Sequence, residues 1–381
     1  MMIFLFCSAL FAEERVILVS IDGFRWDYLD RFELKNLRSV AREGVRVKKL
    51  QPVFPSVTFP NHYSIVTGLW AEHHGIVSNH FKDAQTGDVF TLSNQRAVAS
   101  SHWWGGEPIW VTAEKQKVRT ASMFWVGSEA LIGGVRPSDF VAYDKSVPNS
   151  SRVNKVLEWL DRPLESRPRF VTLYFDVVDT AGHQEGPNSR LVEAAAAAVD
   201  SALGELFQGL KRRSLWESTV IIVVSDHGMA EVLPDHRVVF DPKGAEVLGR
   251  GPFLQIWPAG PVQKYIKVIQ VPAHTRLYRK GQFPKRWHYE KSPRIAPILL
   301  IAEEGWYIEL GQKKSAGVIG AHGYDNALAS MQGALVARGP SLKKGVVETM
   351  PNLVIYNVLC RLLGLKPAPN DGGNPDVLLK R

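Results

Sequence analysis

Five short, largely apolar runs constrain the fold of this chain more than any other feature of its sequence. They occupy residues 16–21, 120–124, 170–175, 220–224 and 333–337. A run without polar alternation is typical of a strand covered on both faces, as in a parallel sheet. Helical periodicity marks residues 189–212, and shorter helical patterns occupy residues 153–160 and 351–363. We therefore predict an α/β fold, with a mostly parallel central sheet and helices on both faces.

The pattern changes between residues 230 and 321, where short strand-like pieces alternate with many Pro and Gly residues. These pieces lie at residues 253–257, 266–271 and 298–301. Because such punctuation separates short strands from one another, we predict a small inserted subdomain over one end of the sheet. The insertion lies within a single domain that spans residues 13–381.

The N-terminal segment predicts export. Residues 1–12 are almost wholly apolar, too short to span a bilayer, and typical of a signal peptide. Cleavage would remove Cys7 and leave Cys360 as the single cysteine, so that no intramolecular disulfide is expected. This pattern favours a bacterial periplasm, or secretion, over a disulfide-rich extracellular scaffold. No longer apolar segment predicts an integral membrane span.

The charge balance indicates anionic partners. The net charge is +8 and the isoelectric point is about 9.3, which favours phosphates and nucleotides. The basic residues are scattered rather than clustered, so we expect no stable complex with nucleic acid. The oligomeric state is left open.

Acidic and histidine side chains follow the predicted strands or lie in late loops, where ligands bind in open α/β sheets. They are Asp22, Asp179, His183, Asp226, His227 and His322. A mixture of carboxylate and imidazole suits zinc better than calcium or magnesium. Two metal ions about 4 Å apart are a known arrangement for phosphoryl chemistry. The sequence therefore predicts a site for two metal ions.

Phosphoryl transfer in such a site uses either water or a protein nucleophile. Thr58 stands immediately before a predicted helix that has Pro60 near its first turn. The free N–H groups at the start of a helix form a cradle for phosphate. Thr58 is therefore the candidate nucleophile, with a metal ion needed to activate its hydroxyl.

Several motifs occur in one order along the chain: SIDGFR at residues 20–25, PSVTFPNHY at 55–63, DTAGH at 179–183, SDHGM at 225–229 and HGYDN at 322–326. In this order they resemble the nucleotide pyrophosphatase/phosphodiesterase family of the alkaline phosphatase superfamily. The resemblance covers nearly all of the chain beyond residue 12. It implies a bacterial member that has the phosphodiesterase domain alone.

The resemblance implies a role for each site residue. One zinc ion would be held by Asp179, His183 and His322, and a second by Asp22, Asp226, His227 and the Thr58 oxygen. Thr58 would attack phosphorus and form a covalent phospho-threonine intermediate. Asn79 would donate a hydrogen bond to a phosphate oxygen, which stabilises the charge that develops in the transition state.

The resemblance also indicates a substrate. Phe59 follows the nucleophile, and Tyr143 matches the stacking aromatic residue of members that cleave nucleotides. Two such rings would sandwich a nucleobase, which contributes about 1–3 kcal/mol per base, and Trp125 is a candidate for the same pocket. This favours hydrolysis of nucleotide phosphodiester or pyrophosphate bonds to nucleoside 5′-monophosphates. Hydrolysis of choline or lipid phosphodiesters is the alternative, since relatives of similar architecture perform it.

Two further expectations concern residues near the site. Tyr324 stands where the family has a smaller residue, which predicts an altered entrance. The remaining histidines, His62 among them, are assigned to the surface or to packing.

Overall fold

The computed structural model describes residues 14–311 and 317–380. The predicted signal peptide and Cys7 lie outside the described residues. In chain order the strands are β1 (Arg15–Ile21), β2 (Val45–Gln51), β3 (His80–Lys82), β4 (Val89–Thr91), β5 (Thr120–Met123), β6 (Asp139–Val141), β7 (Phe170–Phe175), β8 (Thr219–Val224), β9 (Ala230–Glu231), β10 (Arg237–Phe240), β11 (Glu246–Arg250), β12 (Phe253–Trp257), β13 (Thr275–Arg279), β14 (Ile298–Ala302), β15 (Tyr307–Leu310), β16 (Gly320–Ala321), β17 (Gly333–Arg338) and β18 (Gly345–Pro351).

The α-helices are α1 (Tyr28–Arg31), α2 (Lys35–Glu43), α3 (Thr58–Thr67), α4 (Ala71–His74), α5 (Gln95–Ala99), α6 (Ile109–Lys115), α7 (Asn149–Leu160), α8 (Val177–Glu185), α9 (Arg190–Arg212), α10 (Val262–Ile266) and α11 (Val354–Leu363). Single 3₁₀ turns lie at Ser101–Trp103, Lys285–Trp287, Ala329–Met331 and Pro375–Val377. None of the helices in the described part of the chain is long and apolar enough to cross a bilayer.

An eight-stranded sheet forms the centre of the fold, in the order β18-β2-β17-β8-β1-β7-β5-β6. Strand β17 runs antiparallel to both of its neighbours, and the other pairings in this sheet are parallel. The prediction of a mostly parallel sheet is confirmed. The pairings also place β8, β1 and β7 side by side, so that their carboxyl ends share one edge of the sheet.

Helices cover both faces of this sheet, as predicted. Val16 and Leu18 of β1 pack in one core with α3, α6 and α11, while Ile17 and Val19 pack in a second core with α2, α7 and α9. The apolar run of β1 therefore arises because successive side chains enter two different cores.

The long helix α9 begins and ends as its sequence indicates. The Ser189 hydroxyl accepts a hydrogen bond from the Val192 N–H at 3.2 Å, which caps the first turn. Helix α11 ends at Gly364, which adopts a left-handed conformation with φ of 70° that favours glycine.

The region from residue 230 to residue 321 contains its own four-stranded antiparallel sheet, in the order β11-β12-β14-β13. Leu254 and Leu300 pack in a third core with Phe240 and Tyr307, whereas Leu299 and Ile301 belong to the first core. This sheet therefore packs against the central fold through one face. The division into an inserted subdomain stays a prediction.

Three details of the predicted elements are wrong. Residues 266–271 do not form a strand, because α10 ends at Ile266 and Val268 and Val271 are exposed. No strand is predicted at β2, β6 or β18 of the central sheet, since β2 alternates apolar and polar residues, β6 has only three residues, and β18 is an edge strand with mostly exposed side chains. Thr58 is the first residue of α3 rather than the residue before it, with Val57 at the cap position.

Candidate active site

Three neighbouring strands deliver the acidic side chains of the site. Asp22 follows β1, Asp179 lies in the first turn of α8 just beyond β7, and Asp226 follows β8. Because β8, β1 and β7 are adjacent and parallel, these three carboxylates meet at one edge of the sheet.

Histidines complete two groups around these carboxylates. The His227 Nε2 atom lies 3.0 Å from Asp226 Oδ2 and 3.5 Å from Asp22 Oδ1. On the other side, Asp179 Oδ1 lies 3.5 Å from His183 Nε2 and 3.6 Å from His322 Nε2. All six side chains that the sequence indicated as metal ligands are thus brought together.

Within the described part of the chain, three carboxylate oxygens of the site lack the partner that a bound cation would supply. Asp22 Oδ1, Asp179 Oδ1 and Asp226 Oδ2 are buried and have no hydrogen-bond partner among the described residues. Burial of unpartnered anionic oxygens is unfavourable unless a cation or a donor compensates them. Burial, followed by the charges of Asp226 and Asp179, raises the pKa of Asp22 well above its ordinary value. The donor set and these unpartnered oxygens fit divalent metal ions.

The imidazoles are oriented as metal ligands are. The Nδ1–H groups of His183, His227 and His322 donate to the backbone carbonyls of Gly320 at 2.8 Å, Gly228 at 2.9 Å and Ser56 at 3.0 Å. A carbonyl can only accept, so in each neutral ring Nε2 retains its lone pair. Burial, together with the charge of His227, holds the pKa of His322 well below its ordinary value.

Thr58 lies next to this centre. Its Oγ1 atom is 3.3 Å from His227 Nε2, and it opens helix α3, whose first N–H groups have no partner within the helix. The Phe59 N–H donates to Asn79 Oδ1 at 2.8 Å. This bond identifies which end of the Asn79 amide faces the helix, and it leaves Nδ2 as a donor.

His62 lies beside the site as a packed interior residue, which agrees with the packing half of its assignment and not with the surface half. It is fully buried, and its Nδ1 atom lies 3.0 Å from the Thr58 carbonyl oxygen and 3.3 Å from Asp226 Oδ2. On the other side, Nε2 is 2.8 Å from the Ser20 hydroxyl. The signal was present in the sequence, since residues four apart lie on the same face of a helix and His62 follows Thr58 by four.

The aromatic residues lie around the same centre. Phe59 packs near Phe90 and Trp104, with ring centroids 5.8 Å and 6.3 Å away. Tyr143 is 40% exposed, and its hydroxyl donates to Asp176 Oδ2 at 3.0 Å. Among the described ring contacts none joins Phe59 to Tyr143. Their proposed sandwich around a base stays a prediction.

Two other predicted residues are buried. Trp125 is 4% exposed, and its indole N–H donates to the His62 carbonyl at 3.1 Å, so that it supports helix α3. Tyr324 is fully buried and donates to the Trp306 carbonyl at 2.8 Å. The expectation that Tyr324 alters the entrance is therefore wrong, because its side chain points into the third core.

A cleft of about 590 Å³ opens beside the histidines of the candidate site. Its lining includes His183, His322 and Asn79. The centre is therefore reachable by a ligand that is larger than water.

A model of the family described as Type I phosphodiesterase/nucleotide pyrophosphatase matches residues 16–325. The chain belongs to this family. It is therefore a hydrolase of the class that acts on phosphodiester bonds. The match covers all six candidate ligands and Thr58.

Relatives and solved structures agree with this family. The chain is 41% identical to mouse bis(5′-adenosyl)-triphosphatase ENPP4, over 94% of the chain and 79% of that protein. It is 37% identical to a venom phosphodiesterase of Crotalus durissus collilineatus, over 98% of the chain but only 47% of that protein. The fold is similar to murine ectonucleotide pyrophosphatase/phosphodiesterase 5, with a TM-score of 0.91, 34% identity, and coverage of 96% of this chain and 100% of that chain. An inactive threonine-to-alanine variant of that murine protein has been solved in complex with AMP.

Proposed function

We propose that this chain hydrolyses nucleotide phosphodiester or pyrophosphate bonds to nucleoside 5′-monophosphates, through a covalent intermediate on Thr58. The observation that carries the proposal is the position of the Thr58 hydroxyl, 3.3 Å from His227 and beside three unpartnered buried carboxylate oxygens. A hydroxyl at the start of a helix and at the edge of a metal centre is suited to attack a phosphate.

Two zinc ions fit the donor set. In this proposal Asp179, His183 and His322 hold one, and Asp22, Asp226 and His227 hold the other, together with the Thr58 oxygen. Mixed nitrogen and oxygen ligands are typical of zinc. When bound, such ions lower the pKa of a coordinated hydroxyl or water and neutralise the charge of the phosphate.

Two displacements occur at phosphorus, the first by Thr58 and the second by water. Thr58 Oγ1 forms a bond to phosphorus and loses its proton, while the bond between phosphorus and the leaving oxygen breaks and that oxygen takes up a proton. Water then attacks the phospho-threonine, which releases the nucleoside 5′-monophosphate and restores the Thr58 hydroxyl. The Thr58 N–H, at the start of α3, and the Asn79 Nδ2 donor bind the nonbridging oxygens through both steps.

The nucleoside is bound in this proposal by Phe59 and Tyr143, with Trp125 as a candidate for the same pocket. The AMP complex of the murine relative supports a nucleotide, as does the triphosphatase name of ENPP4. A periplasmic or secreted location accords with the apolar residues 1–12, and with relatives that are named as ectoenzymes or venom enzymes.

The test compares two chromogenic esters, p-nitrophenyl thymidine 5′-monophosphate and p-nitrophenyl phosphorylcholine, with zinc-loaded and metal-stripped protein. We expect zinc-dependent turnover of the nucleotide ester that is lost in Thr58→Ala. Preference for the choline ester would overturn the nucleotide assignment. Turnover that survives in Thr58→Ala would overturn the covalent route.

A further inference from the structure

The described lining of the cleft beside the metal centre contains a basic residue and no acidic residue. Among residues 14–311 and 317–380, no Asp or Glu lines it. Its polar lining residues include Asn79, Ser93 and Gln184, several histidines, and one arginine, Arg250. The adjoining centre contains three carboxylates, so the cleft and the centre differ sharply in the ligands that they favour.

Arg250 is held at the cleft by a rigid turn. It lies between Gly249, with φ of 100°, and Gly251, with φ of 62°, where β11 turns into β12. A Cβ atom on Gly249 would lie 2.5 Å from the Phe253 carbonyl, and one on Gly251 would lie 2.5 Å from the Tyr307 ring. Both positions require glycine, because any side chain would clash at a backbone conformation that is itself strained. The Arg250 backbone is therefore fixed against β12 and β15.

The guanidinium of Arg250 is not neutralised by a carboxylate. Its side chain is exposed, and within the described residues it forms no ion pair. Glu246, on the same strand, is paired with Lys82. Arg250 is thus a free positive charge at a cleft that leads to the proposed metal ligands His183 and His322.

We propose that this cleft binds the leaving group of the substrate, and that Arg250 selects leaving groups that carry further phosphates. The proposal rests on the proposed function. It adds the identity of the residue that distinguishes a leaving group with further phosphates from one without phosphate. A phosphodiester held at Thr58 extends in two directions. Neither Phe59 nor Tyr143, the residues proposed to hold the nucleoside, lines this cleft. The substituent of the phosphodiester that enters the cleft is therefore the leaving group and not the nucleoside.

The chemistry of the lining matches an anionic group. A guanidinium forms charge-assisted hydrogen bonds with phosphate oxygens, and the neighbouring donors supply more. A charged hydrogen bond of this kind corresponds to about a tenfold change in affinity. Because Arg250 is exposed, salt should weaken its effect.

The experiment compares ATP, whose leaving group is pyrophosphate, with p-nitrophenyl thymidine 5′-monophosphate, whose leaving group carries no phosphate. We expect Arg250→Gln to raise KM for ATP about tenfold and to affect kcat/KM for the nitrophenyl ester much less. Arg250→Lys should retain part of the ATP affinity. Arg276→Gln is the matched control, since Arg276 is an exposed arginine on β13 of the same sheet and does not line the cleft.

An unchanged KM for ATP in Arg250→Gln would overturn the proposal, as would equal effects on both substrates or an equal effect of Arg276→Gln. Binding of inorganic pyrophosphate, measured by calorimetry with zinc-loaded protein, tests the subsite without turnover. We expect weaker binding to Arg250→Gln than to Arg276→Gln, and equal dissociation constants would contradict the assignment. Absence of turnover of either substrate by the unsubstituted protein would instead count against the proposed function.

Discussion

The Tyr174 hydroxyl donates a hydrogen bond to Asp22 Oδ2 at 2.6 Å. The other oxygen of Asp22 has no hydrogen-bond partner and lies 3.5 Å from His227 Nε2. Tyr174 is itself fixed, because the buried Arg152 side chain donates to its backbone carbonyl at 2.9 Å. The tyrosine therefore sets which oxygen of Asp22 faces the metal centre.

Removal of this hydroxyl should weaken metal binding. Partners of this kind change metal affinity by about 10–100-fold, and we expect a loss in that range for zinc in Tyr174→Phe. Competition with a chromogenic chelator measures the affinity, and thermal unfolding of the metal-stripped protein reports on the fold. Tyr143→Phe is the control, because its hydroxyl bonds to Asp176 rather than to a proposed ligand. Equal zinc affinity in both variants would contradict this role.

Ser20 and His62 should act on stability as one unit. Each is fully buried, and the 2.8 Å contact between them satisfies both groups. We expect Ser20→Ala to lower the free energy of unfolding by about 1 kcal/mol, and His62→Leu by about 2–4 kcal/mol, since it also removes the contact with Asp226. Urea unfolding of the two variants and the double variant measures their coupling. Strictly additive losses would show that the contact contributes nothing.

Stability should fall in acid because of His74. Its ring is buried, accepts a hydrogen bond from the Ile76 N–H at 3.1 Å, and lies 2.9 Å from the Ser64 hydroxyl. Burial lowers the pKa of His74 to about 3, from 6.5 for the unfolded chain. Between these values the unfolded state binds more protons, so stability is complete above pH 6.5 and declines as the pH falls towards 3.

The measurement compares unfolding of the native chain with that of His74→Gln from pH 7 down to pH 4, for metal-stripped protein. We expect the native chain to lose about 1 kcal/mol more per pH unit below pH 6.5 than the variant does. Parallel curves would mean that His74 does not couple folding to protonation.

Asn79 should contribute to catalysis through its Nδ2 hydrogen-bond donor. Asn79→Asp keeps the oxygen that accepts from the Phe59 N–H but replaces the Nδ2 donor with an anionic oxygen. We expect kcat for the nitrophenyl nucleotide to fall about 100–1000-fold, as it does when a preorganised donor to a developing charge is removed. Steady-state kinetics checks this, with Asn79→Ala as the companion variant. Near-native activity of Asn79→Asp would show that Asn79 only positions Phe59.

The proposed metal ligands could be predicted from the sequence, but the residues that position them could not. Asp22 and Asp226 were predictable because each follows an apolar run, and the carboxyl ends of parallel strands converge on one edge. Tyr174 lies inside the apolar run of β7, whose pattern predicts a buried strand and no separate role for the tyrosine. Ser20 and His62 lie 42 residues apart, so only the packing of α3 on the sheet brings them together. Pairings of that kind depend on tertiary structure and have no local signal.

The central claim is that Thr58 forms a covalent intermediate, and stereochemistry at phosphorus tests it most directly. A single stereoisomer of the phosphorothioate analogue of p-nitrophenyl thymidine 5′-monophosphate would be hydrolysed in isotopically labelled water, and the configuration of the product determined by NMR. Two successive in-line displacements, the first by Thr58 and the second by water, predict net retention of configuration. Net inversion would show that water attacks phosphorus directly, and would contradict the account.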